Sequence, residues 1–401
     1  MSSIATPPPA LRAEAKVIGL VSLAHLMSHF FALAVPPVFF LLKEEFGVSY
    51  AALGFATTMF FVASGFLQTP AGFLVDRLGG RAVLASGLAL SSLGILLVGF
   101  VPSYPLLVAA LMIAGMGNSV FHPADMAILN ARITAGKLGY AFSVHGMSGN
   151  LGWVIAPLFS VALASAFGWR AAMIAAGAIG FAVTLLIALH PLLRHPARIR
   201  PPRQRGALGD DVRLLISAPV LSCFFFFVFS SVSSTAMQTF SIPAMVGLYG
   251  VPWAAAAGTL TGYLAGAAAG TLTGGFVAAH TRRHDVVAVA GIAGAVLFIL
   301  ALASGAVPGA LLVLTTTLAG FCLGSVNPSR DIIVREVTPE HARGKVYGFV
   351  YSGLDLGSSI APPAIGWLID TGQSRLVFLT GATALLMAAA IMAMLGRRAR
   401  I

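Results

Sequence analysis

The chain is 401 residues long, 58% hydrophobic and only 9% charged, with 24 basic and 13 acidic residues. Soluble domains carry about 25% charged residues, so a soluble globule is excluded: too little polar surface would remain to cover a core. The net charge of +11 is not read as a nucleic-acid signature, because the basic residues gather in alternate connections between apolar runs.

The first sixteen residues, MSSIATPPPALRAEAK, mix prolines with both charges. They are expected to form a short cytoplasmic tail (1–16) rather than a cleaved signal peptide. Six apolar runs follow within 17–190, at 17–42, 49–74, 82–102, 104–129, 138–163 and 169–190. Each is near the roughly 20 residues that cross a bilayer as a helix. Residues 191–213, rich in proline, arginine and glycine, read as a solvated cytoplasmic linker. Six more runs lie within 214–396, at 214–246, 253–279, 285–306, 309–333, 344–369 and 375–396, and a basic tail occupies 397–401. The expected fold is an all-α membrane protein of twelve transmembrane helices in two six-helix bundles.

One set of connections holds Arg12, Lys16, Arg77, Arg81, Arg132, Lys137, the linker, Arg282, Arg283, Arg335, Arg343, Lys345 and the tail; the other holds only Lys43, Arg170 and Arg375. The positive-inside rule then places both termini in the cytoplasm, across a bacterial-type inner membrane. The excess charge also suits anionic lipid. The expected partners are the lipid bilayer, protons and a small-molecule substrate, with no nucleic acid, and the chain is expected to be a monomer. Cys223 and Cys322 both lie inside apolar runs and read as small core residues.

The two halves repeat. At a constant offset of 205 residues Pro123 meets Pro328, Gly139 meets Gly344, Leu151 and Gly152 meet Leu356 and Gly357, Ala156 and Pro157 meet Ala361 and Pro362, and Arg170 meets Arg375. Two parallel six-helix repeats suit alternating access, in which two bundles rock about a site between them. Pro123 and Pro328 are expected to kink matching helices.

After the second run the chain reads GFLVDRLGGR. Gly72, Asp76, Arg77, Gly79 and Arg81 fit the cytoplasmic loop signature of the major facilitator superfamily, with Gly80 at a position usually basic. The second-half counterpart, GGFVAAHTRRHD, keeps Gly275, Arg282 and Arg283 but has Ala279 where an aspartate is expected. The chain resembles that superfamily along its whole length, with FGWR at Phe167–Arg170 also similar. The resemblance implies a cytoplasmic gate at Gly72, Asp76, Arg77, Gly79 and Arg81, asymmetric between halves, with Asp76 beside a helix N-terminus of the other half. It also implies that spans one, four, seven and ten line a central cavity. HLMSHFF, LLKEEFGVSYAALG and GNSVFHPADMAILNAR are similar to the fosmidomycin-resistance type of exporter. That pattern would place an acid one turn after the first histidine, where this chain has His29. Nor is there an arginine near the start of span four, where Leu111 stands.

Polar groups in mid-bilayer are costly and usually face a cavity or a partner. His25 and His29 share one face of span one, about 12 and 18 Å from its cytoplasmic end at 1.5 Å per residue; His122 in span four and His145 in span five lie about 15 and 10 Å deep. Four histidines at similar depth can pack against neighbouring helices or converge on the cavity, carrying protons or holding an anion. Gln238, Asn327, Arg330, Tyr347 and Tyr351 are the second-half candidates for substrate contact. Asp355, midway along span eleven, is either protonated, partnered across helices or part of proton coupling; His29 and Asp125 are further coupling candidates. Asp125 and Arg330 are related by the repeat and have opposite signs, so they are expected to form an ion pair between halves at the gate. Arg330 also suits an anion, since guanidinium presents planar paired donors.

No phosphate loop, GxSxG or ATP-binding domain occurs, so no enzyme and no cofactor is expected, and no metal site is assigned. The expected function is a secondary transporter of a small organic anion or drug-like molecule, coupled to protons and directed outward. Uptake by symport is the alternative. A soft-metal alternative rests on the pairs Met112/Met116, His122/Met126 and His25/His29, whose thioether and imidazole donors suit copper(I). A membrane receptor would need a signalling segment beyond the short tails.

Overall fold

With no water in hydrocarbon to bond to, each backbone N–H and C=O must find its partner within a helix or a closed barrel. This chain takes the helical route. The structure is a computed structural model that describes residues 9–193, 213–336 and 343–398, and no strand occurs among the described residues.

The first crossing is α1 (Pro9–Ala34), broken by a 3-10 turn at Pro36–Val38, and then α2 (Phe39–Phe46). The break lies at Pro36 and Pro37, which have no N–H to donate. α3 (Tyr50–Leu78) and α4 (Gly80–Val98) follow, joined at Gly79, whose φ of 86° suits glycine. The fourth crossing is again divided, into α5 (Tyr104–Asn118) and α6 (Phe121–Arg132). α7 (Leu138–Phe167) and α8 (Trp169–Leu189) complete the first half.

The second half begins with α9 (Ala218–Gln238) and α10 (Ser241–Tyr249), a divided seventh crossing. α11 (Trp253–His280), α12 (His284–Ser304), α13 (Leu312–Glu336), α14 (Arg343–Asp370) and α15 (Ser374–Arg398) follow. Length and apolarity alone single out ten candidate spans among the described residues. α11 and α14 are the other two; at 28 residues each they are long enough to cross. α11 is rich in glycine and threonine, and α14 carries Arg343, Lys345, Asp355 and Asp370.

Within 9–193, α1 packs on α7 and α4 packs on α5 and α8; within 213–398, α9 packs on α14 and α15, and α13 packs on α11 and α12. Small residues permit these approaches: a Cβ at Gly115 of α5 would strike the Phe60 carbonyl of α3. The repeat extends to individual bonds. Arg170 Nη1 donates to Gly99 O at 3.3 Å, and Arg375 Nη2 donates to Ser304 O at 3.2 Å; donor and acceptor both shift by 205 positions.

The prolines behave differently from expectation. The fourth crossing breaks at Ser119–Val120, upstream of Pro123, which then sits in the first turn of α6, where a missing N–H costs nothing. Pro328 lies inside the continuous α13. The two halves are therefore not kinked alike.

The halves meet through α3 against α14 and α7 against α11. Their polar contacts gather at the end that carries the α2–α3 and α14–α15 connections. Tyr50 N and Ala51 N each donate to a carboxylate oxygen of Asp370 at 2.9 Å, and Lys43 Nζ stands 3.5 Å from the same group. Trp253 Nε1 donates to Pro37 O at 2.8 Å, and Thr58 Oγ1 to Ser359 O at 2.7 Å.

Candidate functional site

On α1, Ser22, His25 and His29 fall three and four residues apart and so share a face. α7 lies against that face because it has glycine there: a Cβ at Gly149 would stand 2.9 Å from His29 Cε1 and 3.0 Å from His25 Nε2. α6 brings His122 and Asp125, and α7 brings His145.

The four histidines do converge. The His25 ring stacks on that of His145 at 3.8 Å and lies 4.5 Å from His29 and 5.5 Å from His122. Beside His25 and His145 is Asp125, whose side chain is fully buried. Its Oδ2 is 3.4 Å from His25 Nδ1 and 3.7 Å from His145 Nε2, both longer than a hydrogen bond. Accordingly, Asp125 Oδ1 and Oδ2, His25 Nδ1, His29 Nδ1 and both His145 nitrogens have no hydrogen-bond partner among the described residues. Burial divides the group. His25 and His145 are 4% and 3% exposed, His29 is half-buried and His122 is exposed. His25 and His145 are thus interior groups, not lining ones. Trp153, whose ring is 4.3 Å from His29, escaped sequence reasoning; a tryptophan in mid-span was its only signal.

In the second half Arg330 organises a polar network. Its Nε donates to Asp331 Oδ1 at 2.9 Å and its Nη1 to Asn327 Oδ1 at 3.0 Å. Tyr351 OH donates to the same Asp331 oxygen at 2.9 Å, and Asn327 Nδ2 donates to Thr271 Oγ1 at 3.3 Å. The Arg330 guanidinium also lies over the Phe227 ring, 4.8 Å from its centre. Tyr347 is on α14, but its side chain lies outside the described residues. Gln238 is half-buried at the end of α9, beside the break before α10.

The expected ion pair between Asp125 and Arg330 is not formed. Asp125 faces His25 and His145, and Arg330 faces Asp331. Each occupies the same repeat position but points into its own bundle. Around the loop motif, Asp76 and Arg77 are exposed, and a Cβ at Gly72 would meet nothing within 4 Å. Arg81 Nη1 donates to Ala188 O at 2.8 Å, within the same half.

Asp355 has a different setting. It is half-buried on α14, and a Cβ at Gly65 of α3 would stand 3.4 Å from its Cβ. It therefore lies at the junction of the two halves. Met112 and Met116 are each 41% exposed, and the donors gathered around His25 are imidazole and carboxylate. Chemically, the first half holds a carboxylate flanked by two imidazoles, and the second holds a guanidinium with polar neighbours.

Residues 21–266 and 224–400 match the family model described as Major Facilitator Superfamily. The fosmidomycin resistance protein of Escherichia coli (strain K12) is 26% identical over 386 residues, 90% of this chain and 88% of that protein. A multidrug resistance protein B homolog of Mycobacterium tuberculosis (strain H37Rv) is 29% identical over 238 residues, 58% of this chain and 42% of that protein. Among solved structures, a bacterial homolog of the human lysosomal transporter Spinster, in an inward-facing and unoccupied conformation, superposes with a TM-score of 0.80. It is 15% identical and 98% of each chain is covered.

Proposed function

We infer that this chain, which belongs to the major facilitator superfamily, exports a small organic anion or drug-like molecule across the inner membrane in exchange for protons. The observation behind the coupling is the position of Asp355. A carboxyl group at a junction that opens and closes exchanges its surroundings in every transport cycle, which is what a proton carrier requires. Its neighbour across the junction is Gly65, which leaves the acid room.

The anion reading rests on Arg330. Its planar donors suit carboxylate or phosphonate bidentately, and Asn327 and Tyr351 stand beside it. His122, exposed and opposite in the repeat to Asn327, is the first-half group offered to substrate. The outward direction is supported by the two resistance proteins the chain resembles. In this reading, the end closed by Asp370 and Trp253 faces outward, and the basic connections face the cytoplasm.

The test is transport by proteoliposomes with small carboxylates and phosphonates under an imposed pH gradient. Exchange predicts accumulation when the lumen is acid, lost on adding a protonophore. Accumulation only with an alkaline lumen would make the protein a symporter, and accumulation indifferent to the gradient would remove proton coupling.

A further inference from the structure

We propose that His25, Asp125 and His145 form a binding site for a divalent first-row transition metal ion of the zinc type, inside the first bundle. The three come from different crossings (α1, α6 and α7), and one ligand atom from each lies within 4.8 Å of the others.

The separations favour a metal over hydrogen bonds. Two imidazole nitrogens stand 3.4 and 3.7 Å from one carboxylate oxygen. Direct N–H···O bonds cluster at about 2.9–3.0 Å. Ligand atoms about 2.0–2.1 Å from a tetrahedral ion are instead roughly 3.3–3.4 Å apart, by the geometry of the tetrahedron. The Asp125–His25 edge has that length, and the Asp125–His145 edge needs only a few tenths of an ångström.

Satisfaction of the buried groups points the same way. Both oxygens of Asp125, Nδ1 of His25 and both nitrogens of His145 are buried without a hydrogen-bond partner among the described residues. Polar groups in such a position in a membrane cost several kcal/mol each, and one cation would engage the Asp125 carboxylate, His25 Nδ1 and one of the two His145 nitrogens together. Of the remaining histidines, His29 and His122 are 4.5 and 5.5 Å from His25, ring to ring, so imidazole is also at hand for a fourth position. His122, being exposed, marks the side from which an ion enters. The donors decide the class: two imidazoles and a carboxylate suit zinc, nickel, iron or cobalt, whereas a thioether set would suit copper(I).

Binding requires neither substrate nor a gradient, so its test is independent of the transport reading. Purified protein, stripped with a chelator and desalted, is titrated with Zn2+ and with Co2+. Metal is counted by elemental analysis after gel filtration. The expected result is one Zn2+ per chain, a raised Tm, and the intense visible absorption of tetrahedral Co2+. Asp125→Asn and His145→Gln should each lose the bound ion and the Co2+ spectrum, while His280→Gln, in an exposed residue, should keep both. Variants are compared only at matched gel-filtration profile. If Asp125→Asn does not fold, His145→Gln decides alone. Less than one ion per chain in the unmodified protein, or binding unchanged in His145→Gln, overturns the proposal.

Discussion

Replacing Asp370 by asparagine should favour opening of the end at which the halves are closed. Asp370 belongs to the second half, yet its two oxygens accept the Tyr50 and Ala51 N–H groups, both at 2.9 Å. These are orphan donors at the start of α3, in the first half, so the carboxylate caps a helix that is not its own. Asparagine keeps one accepting oxygen but turns an NH2 toward the second N–H. It also removes the negative charge from the positive end of the helix. Loss of an N-cap costs about 0.5–2 kcal/mol. A cost of one to two kcal/mol changes a two-state ratio by a factor of about 5–30. Lys43 is also present, 3.5 Å from Asp370, but its side chain is 40% exposed, and exposed pairs contribute about 0–1 kcal/mol. Lys43→Met should therefore have a much smaller effect. Spin labels on Glu44 and Gln373, both exposed, would report the separation of the halves, with Cys223 and Cys322 replaced by alanine. Asp370→Asn should enlarge the long-distance population several-fold. An unchanged distribution, or equal shifts for Asp370→Asn and Lys43→Met, would refute the capping argument.

Asp355→Asn should abolish accumulation driven by a pH gradient and spare substrate exchange in its absence; retained gradient-driven accumulation would show that the proton travels elsewhere. Arg330→Lys keeps the charge but loses the planar fork, and with it a charge-assisted bond worth about 1.5–3 kcal/mol. Anion affinity should then fall by about tenfold or more in equilibrium binding, and an unaltered affinity would remove Arg330 from the substrate site. Gly115→Ala places a methyl group against the Phe60 carbonyl and should cost about 1–3 kcal/mol. Gly72→Ala, with nothing within 4 Å, should be neutral or slightly stabilising. Thermal unfolding in detergent, followed by tryptophan fluorescence, compares the two, and equal Tm values would contradict the packing account.

The helices were legible because hydrocarbon enforces them. An apolar run at 253–279 becomes α11 at Trp253–His280, and one at 285–306 becomes α12 at His284–Ser304. The divisions within crossings were less visible. The run at 104–129 is uniformly apolar until Gly117, yet the helix stops at Asn118 and restarts at Phe121. Ser119 and Val120 keep right-handed helical dihedrals, so the crossing runs on past the break. The pairing of Asp125 with Arg330 rested on the 205-residue offset and opposite signs, and it failed because each residue pairs within its own half. Depth survived the break, since rise along the axis is nearly unaffected. This is why the four histidines were expected at one level and are found together, although only His122 is exposed. The Asp370 cap was illegible for another reason: it joins residues 320 positions apart, and the acid itself sits unremarked at the end of a run.

The duplication shows where backbone and side chain part company. The Arg170–Gly99 and Arg375–Ser304 bonds are copies at the same offset, so the frame of the two halves has been held. Within that frame, His25, His29, His122, Asp125 and His145 correspond to Ser230, Ser234, Asn327, Arg330 and Val350. Where the first half collects lone-pair donors around a carboxylate, the second presents a guanidinium. Lone pairs attract protons or metal ions; a guanidinium attracts anions. A single ancestral pocket would have served both halves alike. Under the two proposals, cation chemistry would belong to one bundle and anion chemistry to the other, with Asp355 at the junction between them. The proposed metal site and the proposed anion site can then fail independently, which is why binding of Zn2+ and binding of an anion are to be measured on the same set of variants.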